Sequence, residues 1–212
     1  MSYPKQLYYD KRGPILVKNL QERHFDAWYC STRQEAVEKA LSLLPDGATV
    51  GWGGTATARQ MGLCDAIHAG NYRAIDRDLC TTPEAREQAA RDCLDADVFI
   101  TSANALSLDG QMVNIDGNGN RIAAMIYCRG FVLVVAGMNK VCDTLEDALR
   151  RARTVAAPMN KQRFPGKTPC GITGICGDCK SENCICSHIV VTRNCRPAGR
   201  IRFILVGEDL GF

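Results

Sequence analysis

The chain has 212 residues, of which 46% are hydrophobic, so it carries enough apolar material for one large globular domain with a sizeable core. Its formal net charge of +3, from 26 basic and 23 acidic residues, points to neither a nucleic-acid nor a membrane partner. The opening segment MSYPKQLYYDKRGP lacks an apolar core of signal-peptide length, and no stretch reaches the roughly 18 apolar residues of a membrane span, which predicts a cytoplasmic protein.

Periodicity predicts a helix over 14–24, a strand at 25–30, and a second helix at 33–44 with Ala36, Val37, Ala40, Leu41 and Leu44 on one face. After the turn Pro45-Asp46-Gly47 come a buried strand (48–52), the loop Gly53-Gly54-Thr55, and a helix through about Ala69. A strand near Tyr72–Ile75, a helix at 83–94 and a strand at 97–102 follow. Segments 105–108 and 111–115 flank Asp109-Gly110, a hairpin signal. A helix over 120–127 precedes FVLVVAG at 131–137, a continuous apolar run suited to a central strand covered on both faces. An amphipathic helix at 144–156, a cysteine-rich segment, and strands at 188–192 and 200–208 complete the chain. The alternation predicts one α/β domain over 1–212: a three-layer, mostly parallel sheet that the last two strands extend, with the cysteine loop (168–187) inserted between strands.

Two loops at strand ends suit a polar ligand. In GWGGTAT (51–57), Gly53, Gly54 and Thr55 turn a strand into a helix; exposed amides there favour an anion, although a capped tight turn explains the same residues. The stretch 101–121 carries Asn114, Asp116, Asn118 and Arg121 close together, as either a ligand site or turn and cap chemistry. Lys140, just past the apolar strand, is placed to meet an anionic substrate or else to lie solvated in a loop. His24, His68 and His188 form no metal or triad pattern.

Six of the twelve cysteines crowd into 26 residues: Cys170, Cys176, Cys179, Cys184, Cys186 and Cys195. In a reducing compartment such crowding favours a metal over disulfides. Zinc is compatible, but only Cys176-Gly177-Asp178-Cys179 forms the usual hook; an iron–sulfur cubane tolerates one hook with outlying thiols. The scattered Cys30, Cys64, Cys80, Cys93, Cys128 and Cys142 read as small apolar side chains.

The stretches ATVGWGGTATARQMGL, TSANALSLDGQMVNIDGNGNRIAAM, VVAGMNKV, and TPCGITGICGDC with CICSHIVVTR and GRIRFILVGEDLGF resemble the LUD-domain (lactate-utilisation) proteins over nearly the full length. The resemblance implies a fold similar to the NagB/RpiA/CoA-transferase group, with ligands near Gly53–Thr55 and the 114–121 segment. It also implies an iron–sulfur cluster, of the [4Fe-4S] kind, on Cys170, Cys176, Cys179 and Cys186. It further implies a part in oxidising lactate to pyruvate beside iron–sulfur partner subunits. Three positions depart from the family pattern: Cys184 stands where an arginine is expected, Cys195 is extra, and Gln60 replaces an acidic residue. Cys184 and Cys195 therefore enter as alternative ligands or redox-active thiols.

Three expectations follow. One is an electron-transfer component: the cluster passes electrons while Arg121 and Lys140 neutralise a small organic acid. No flavin or nicotinamide motif is visible, so a hydride acceptor would come from a partner. Another is a non-catalytic anion-binding or redox-sensing module, or a zinc-stapled protein. The third, by fold analogy alone, is a transferase or isomerase with Asp116 as nucleophile.

Overall fold

The computed structural model describes residues 3–212. The strands are β1 (Asp26–Cys30), β2 (Thr49–Trp52), β3 (Arg73–Asp76), β4 (Val98–Thr101), β5 (Ala105–Ser107), β6 (Met112–Asp116), β7 (Phe131–Gly137), β8 (Val141–Cys142), β9 (His188–Thr192) and β10 (Ile201–Val206). Six of them form a sheet in the order β1-β10-β7-β4-β2-β3, with every neighbouring pair parallel.

Side chains alternate across this sheet and build a core on each face. Val132, Val134 and Ala136 of β7 and Phe203 and Leu205 of β10 enter one core, with Leu16 and Leu20 of helix α1 (Pro4–Glu22). Leu133, Val135, Ile204 and Val206 enter the other. There they meet Ala36 and Ala40 of α2 (Arg33–Leu43). α3 (Ala56–Gln60) and α4 (Leu63–Ala69) add Ala58, Leu63 and Ile67 to the same core. The result is the expected three-layer α/β architecture, completed by α5 (Pro83–Asp92) and α6 (Asn120–Tyr127).

The structure corrects four expectations. Helix α1 begins at Pro4, ten residues before the predicted start, and runs through Gly13 and Pro14. Burial of Tyr9, Leu16 and Leu20 outweighs the proline, and a Cβ on Gly13 would lie 2.2 Å from the Tyr29 ring, so only glycine fits there. The helix predicted through Ala69 breaks at Gly62, whose φ of 83° is left-handed. The helix predicted over 144–156 continues as α7 (Leu145–Arg151), a π turn and α8 (Ala157–Lys161).

The fourth correction concerns the last strands. Only β10 joins the parallel sheet. β9 pairs antiparallel with β6 in a second, four-stranded sheet ordered β8-β5-β6-β9. The cysteine loop does lie between strands, as expected, but it leads from α8 into this small sheet and so departs from the large sheet between β7 and β10. The loop is also not wholly irregular, because α9 (Pro169–Thr173) forms inside it, capped by the Thr168 hydroxyl accepting from the Gly171 amide at 3.0 Å. The Asp109-Gly110 hairpin is present between β5 and β6. Among the described residues, no helix is long and apolar enough to cross a membrane.

Candidate functional site

The parallel strands deliver their following loops to one edge, where open α/β sheets bind ligands. Gly53–Thr55 follow β2, Arg77 follows β3, Thr101 ends β4 with Ser102–Asn104 after it, and Lys140 follows β7. Together with Asp116–Arg121 they line a cavity of about 290 Å³. Asn160 and Lys161 at the end of α8, Arg163–Pro165 just beyond it, and Asn183 and Ile185 of the cysteine loop close its far side. Gly54 has φ +62°, and a Cβ there would lie 2.9 Å from an Arg77 guanidinium nitrogen, so glycine admits Arg77 against the loop. Thr55 caps α3 through the Ala58 amide at 3.3 Å.

Of the expected ligand residues, Gly53, Gly54, Thr55, Asp116, Asn118, Arg121 and Lys140 line the cavity. Asn114 does not. It is buried below, and its Oδ1 accepts from Arg121 at 2.7 Å. Arg121 also donates to the Ser102 carbonyl (3.2 Å), Asn104 Oδ1 (3.1 Å) and the Ile115 carbonyl (2.7 Å), and its Nε lies 3.6 Å from Asp116. Its fork is therefore committed to protein acceptors, and what it offers a ligand is positive potential. Burial lowers its pKa, but a guanidinium stays charged. Asp116 accepts from the Gly119 amide at 3.1 Å and the Ile122 amide at 3.3 Å, so both oxygens hold the turn into α6. That arrangement is the cap chemistry that the sequence also allowed for Asp116.

Lys140 is 3% exposed. Its Nζ donates to Thr57 Oγ1 at 2.9 Å and Ser102 Oγ at 3.0 Å. Burial, then the charges of Arg151 and Arg121, push its pKa down to about 7.

Sequence reasoning missed Arg77, Lys161 and Arg163. They bring the cationic side chains lining the cavity to five, with Arg121 and Lys140, against one side-chain carboxylate, that of Asp116. Arg77 stands one residue past β3, a strand-end position that the loop rule could have marked. Lys161 and Arg163 lie in a segment without periodicity or spacing signals. Gln60 is not among the lining residues; its Oε1 accepts from the Gly211 amide at 2.6 Å.

Beside this cavity lies a second, smaller one of about 70 Å³, lined by Cys170, Cys176, Cys179, Cys184 and Cys186. Thr168 Oγ1 lies 3.5 Å from Cys170 Sγ, and the Cys186 amide donates to Cys184 Sγ at 3.4 Å. Burial, then the adjoining thiols led by Cys184, push the Cys186 thiol up to about 12. Any metal held there must displace that proton.

Among the described residues, no three His, Cys, Asp or Glu side chains are gathered closely enough to hold a metal ion. The thiols surround a space and do not meet at a point. Cys195 is elsewhere: it is 3% exposed in the core, accepts from the Ile201 amide at 3.2 Å and is no companion of the loop thiols. Lys161 and Ile185 line both cavities, so the thiol ring and the cationic cavity share a wall.

A family model described as LUD domain matches residues 14–206. The crystal structure of a DUF162 family protein from Deinococcus radiodurans has a TM-score of 0.53 at 9% identity, covering 93% of this chain and 97% of that one. Two weaker likenesses cover about half of this chain. Ribose 5-phosphate isomerase A from Neisseria gonorrhoeae is 16% identical over 53% of this chain and 54% of that one, with a TM-score of 0.34. The translation initiation factor eIF-2B from Pyrococcus horikoshii OT3 is 16% identical over 53% and 48%, with a TM-score of 0.36. No curated protein matches the chain significantly in sequence.

Proposed function

Because the chain belongs to the LUD-domain family, we propose that it is an iron–sulfur component of 2-hydroxy acid (lactate) utilisation, acting in electron transfer with partner subunits. The observation that carries this reading is the wall of Lys161 and Ile185 shared by the thiol-lined and cationic cavities. Cys170, Cys176, Cys179 and Cys186 would hold a [4Fe-4S] cluster, with Cys184 a fifth thiol beside them. Such a cluster supplies one-electron exchange. Arg77, Lys140 and the Gly53–Thr55 loop would receive the acid's carboxylate, with Arg121 adding positive potential from below. Lys161 donates to the Pro165 carbonyl at 2.6 Å and would hold its charge between the acid and the thiolates. Partner subunits would supply the further acceptor that a two-electron oxidation requires.

The test is iron and sulfide analysis of anaerobically purified protein. Wild type should carry both, with equal loss in Cys→Ser variants at 170, 176, 179 and 186 and retention at 184. A colourless protein with stoichiometric zinc sinks the cluster. A second reading, an anion-binding or redox-sensing module without turnover, is favoured by Asp116, whose two oxygens are both engaged. It predicts a cluster whose spectrum responds to a 2-hydroxy acid with no net oxidation in the presence of partner proteins.

A further inference from the structure

We propose that Lys140 captures the carbonyl carbon of a small 2-oxo acid as a reversible imine in the strand-end cavity. The inference rests on the small-organic-acid reading of that cavity and not on the cluster.

Lys140 differs from every other cation there. Near-complete burial it shares with Lys161, but its partners are the hydroxyls of Thr57 and Ser102, which lie 3.1 Å from each other, and not backbone carbonyls. Among the described residues it forms no ion pair, and the charges acting on it are the cations Arg121 from α6 and Arg151 from α7. Asp116, across the cavity, is engaged with Arg121 and with backbone amides. A lysine desolvated beside cations keeps part of its population as neutral amine, the form that attacks carbonyls. Lys161 lacks this character, because its ammonium donates to the Pro165 and Phe164 carbonyls at 2.6 and 3.4 Å.

A 2-oxo acid places a carboxylate one bond from the electrophilic carbon. Arg77 and the Gly53–Thr55 loop can take the carboxylate while the carbonyl turns toward Nζ. The amine lone pair forms the C–N bond, and the carbonyl π pair moves to oxygen. Ser102 or Thr57 protonates that oxygen and is reprotonated by the amine. The remaining N–H proton passes through the same hydroxyls to that oxygen, which leaves as water while the nitrogen lone pair closes C=N. The sum is amine plus ketone to imine plus water, with no change in oxidation state.

The experiment is borohydride trapping with pyruvate as the probe, read by intact mass and peptide mapping, with calorimetric binding of pyruvate in parallel. The expected result is one reduced adduct per chain on the Lys140 peptide. Its yield should rise with pH through about 7, well below the ordinary lysine range. The adduct should be lost in Lys140→Arg and retained in Lys161→Arg. Pyruvate binding without an adduct, or an adduct spread over surface lysines, overturns the imine and leaves the anion site standing. Absence of binding overturns both. Mapping on the wild-type chain keeps the test decisive if the Lys140 variant folds poorly.

Discussion

Arg121 shows how one side chain organises the ligand edge. Its guanidinium ties together the end of β4 (the Ser102 carbonyl), the start of the hairpin (Asn104), β6 (Asn114 and the Ile115 carbonyl) and the turn at Asp116. Asn114 shows the dependence from the other side. Its Nδ2 is buried without a hydrogen-bond partner, so the bond from Arg121 to its Oδ1 is what fixes that amide. Removing the arginine would strand several acceptors at once. Arg121→Met should therefore cost about 3–5 kcal/mol in a denaturant unfolding experiment, the range for breaking a buried charged network. Arg121→Lys should recover only part of that loss, because an ammonium cannot reproduce the planar fork. A loss under about 0.5 kcal/mol, the level of an ordinary surface change, would show that the network does not hold the edge.

At the scale of elements, α9 anchors the thiol loop. Thr168 is 2% exposed, caps the helix through the Gly171 amide and touches the Cys170 sulfur. Thr168→Ala should cost about 1 kcal/mol of stability and Thr168→Ser much less, since serine keeps the capping oxygen. If the loop holds a cluster, the alanine variant should also lose iron faster to a chelator, at equal starting occupancy. Unchanged iron release beside a measured stability loss would separate the cap from the thiols.

The same scale shows what the sequence made legible. FVLVVAG reads as a central strand because a strand buried on both faces needs no polar alternation, and β7 lies between β4 and β10. The Asp109-Gly110 hairpin and the Thr55 cap are local chemistry and appear where the local rules put them. The strand partner of HIVVT is not local. Its pairing with β6 is set by tertiary packing, and the segment alone cannot choose between two sheets. Cys184 and Cys195 look alike as letters, yet one lines the thiol cavity and the other fills the core, because spacing carries no burial. Arg77 and Lys161 escaped for the same reason: the cavity is assembled from loops far apart in sequence.

Across the whole molecule, two electrostatic patterns have measurable consequences. Carboxylates that join distant segments are held below their usual range. For Asp76, burial alone would raise the pKa, but the Asp78 amide, His68 and Arg59 outweigh it. For Asp97, the Thr49 amide leads and Arg129 follows. A depressed folded-state pKa means that the unfolded chain binds more protons, so stability rises with pH across that interval. The contribution is complete above the ordinary carboxylate range and lost as pH falls through the lower folded values. Unfolding midpoints should therefore be flat from these groups above about pH 5 and drop below about pH 4.

The second pattern is the cavity's five cationic side chains facing one side-chain carboxylate. Such a site attracts a small acid from a distance, and salt screens the attraction beyond about 8 Å at physiological ionic strength. The cavity is partly enclosed, so screening should weaken the site without abolishing it. Pyruvate affinity measured by calorimetry should fall several-fold between about 0.05 and 0.5 M salt. Arg77→Gln should lower affinity at low salt and flatten that dependence, because it removes a cation from the wall while leaving the Arg121 network intact. Affinity that is indifferent to both salt and Arg77 would mean that shape and hydrogen bonds, not charge, select the ligand.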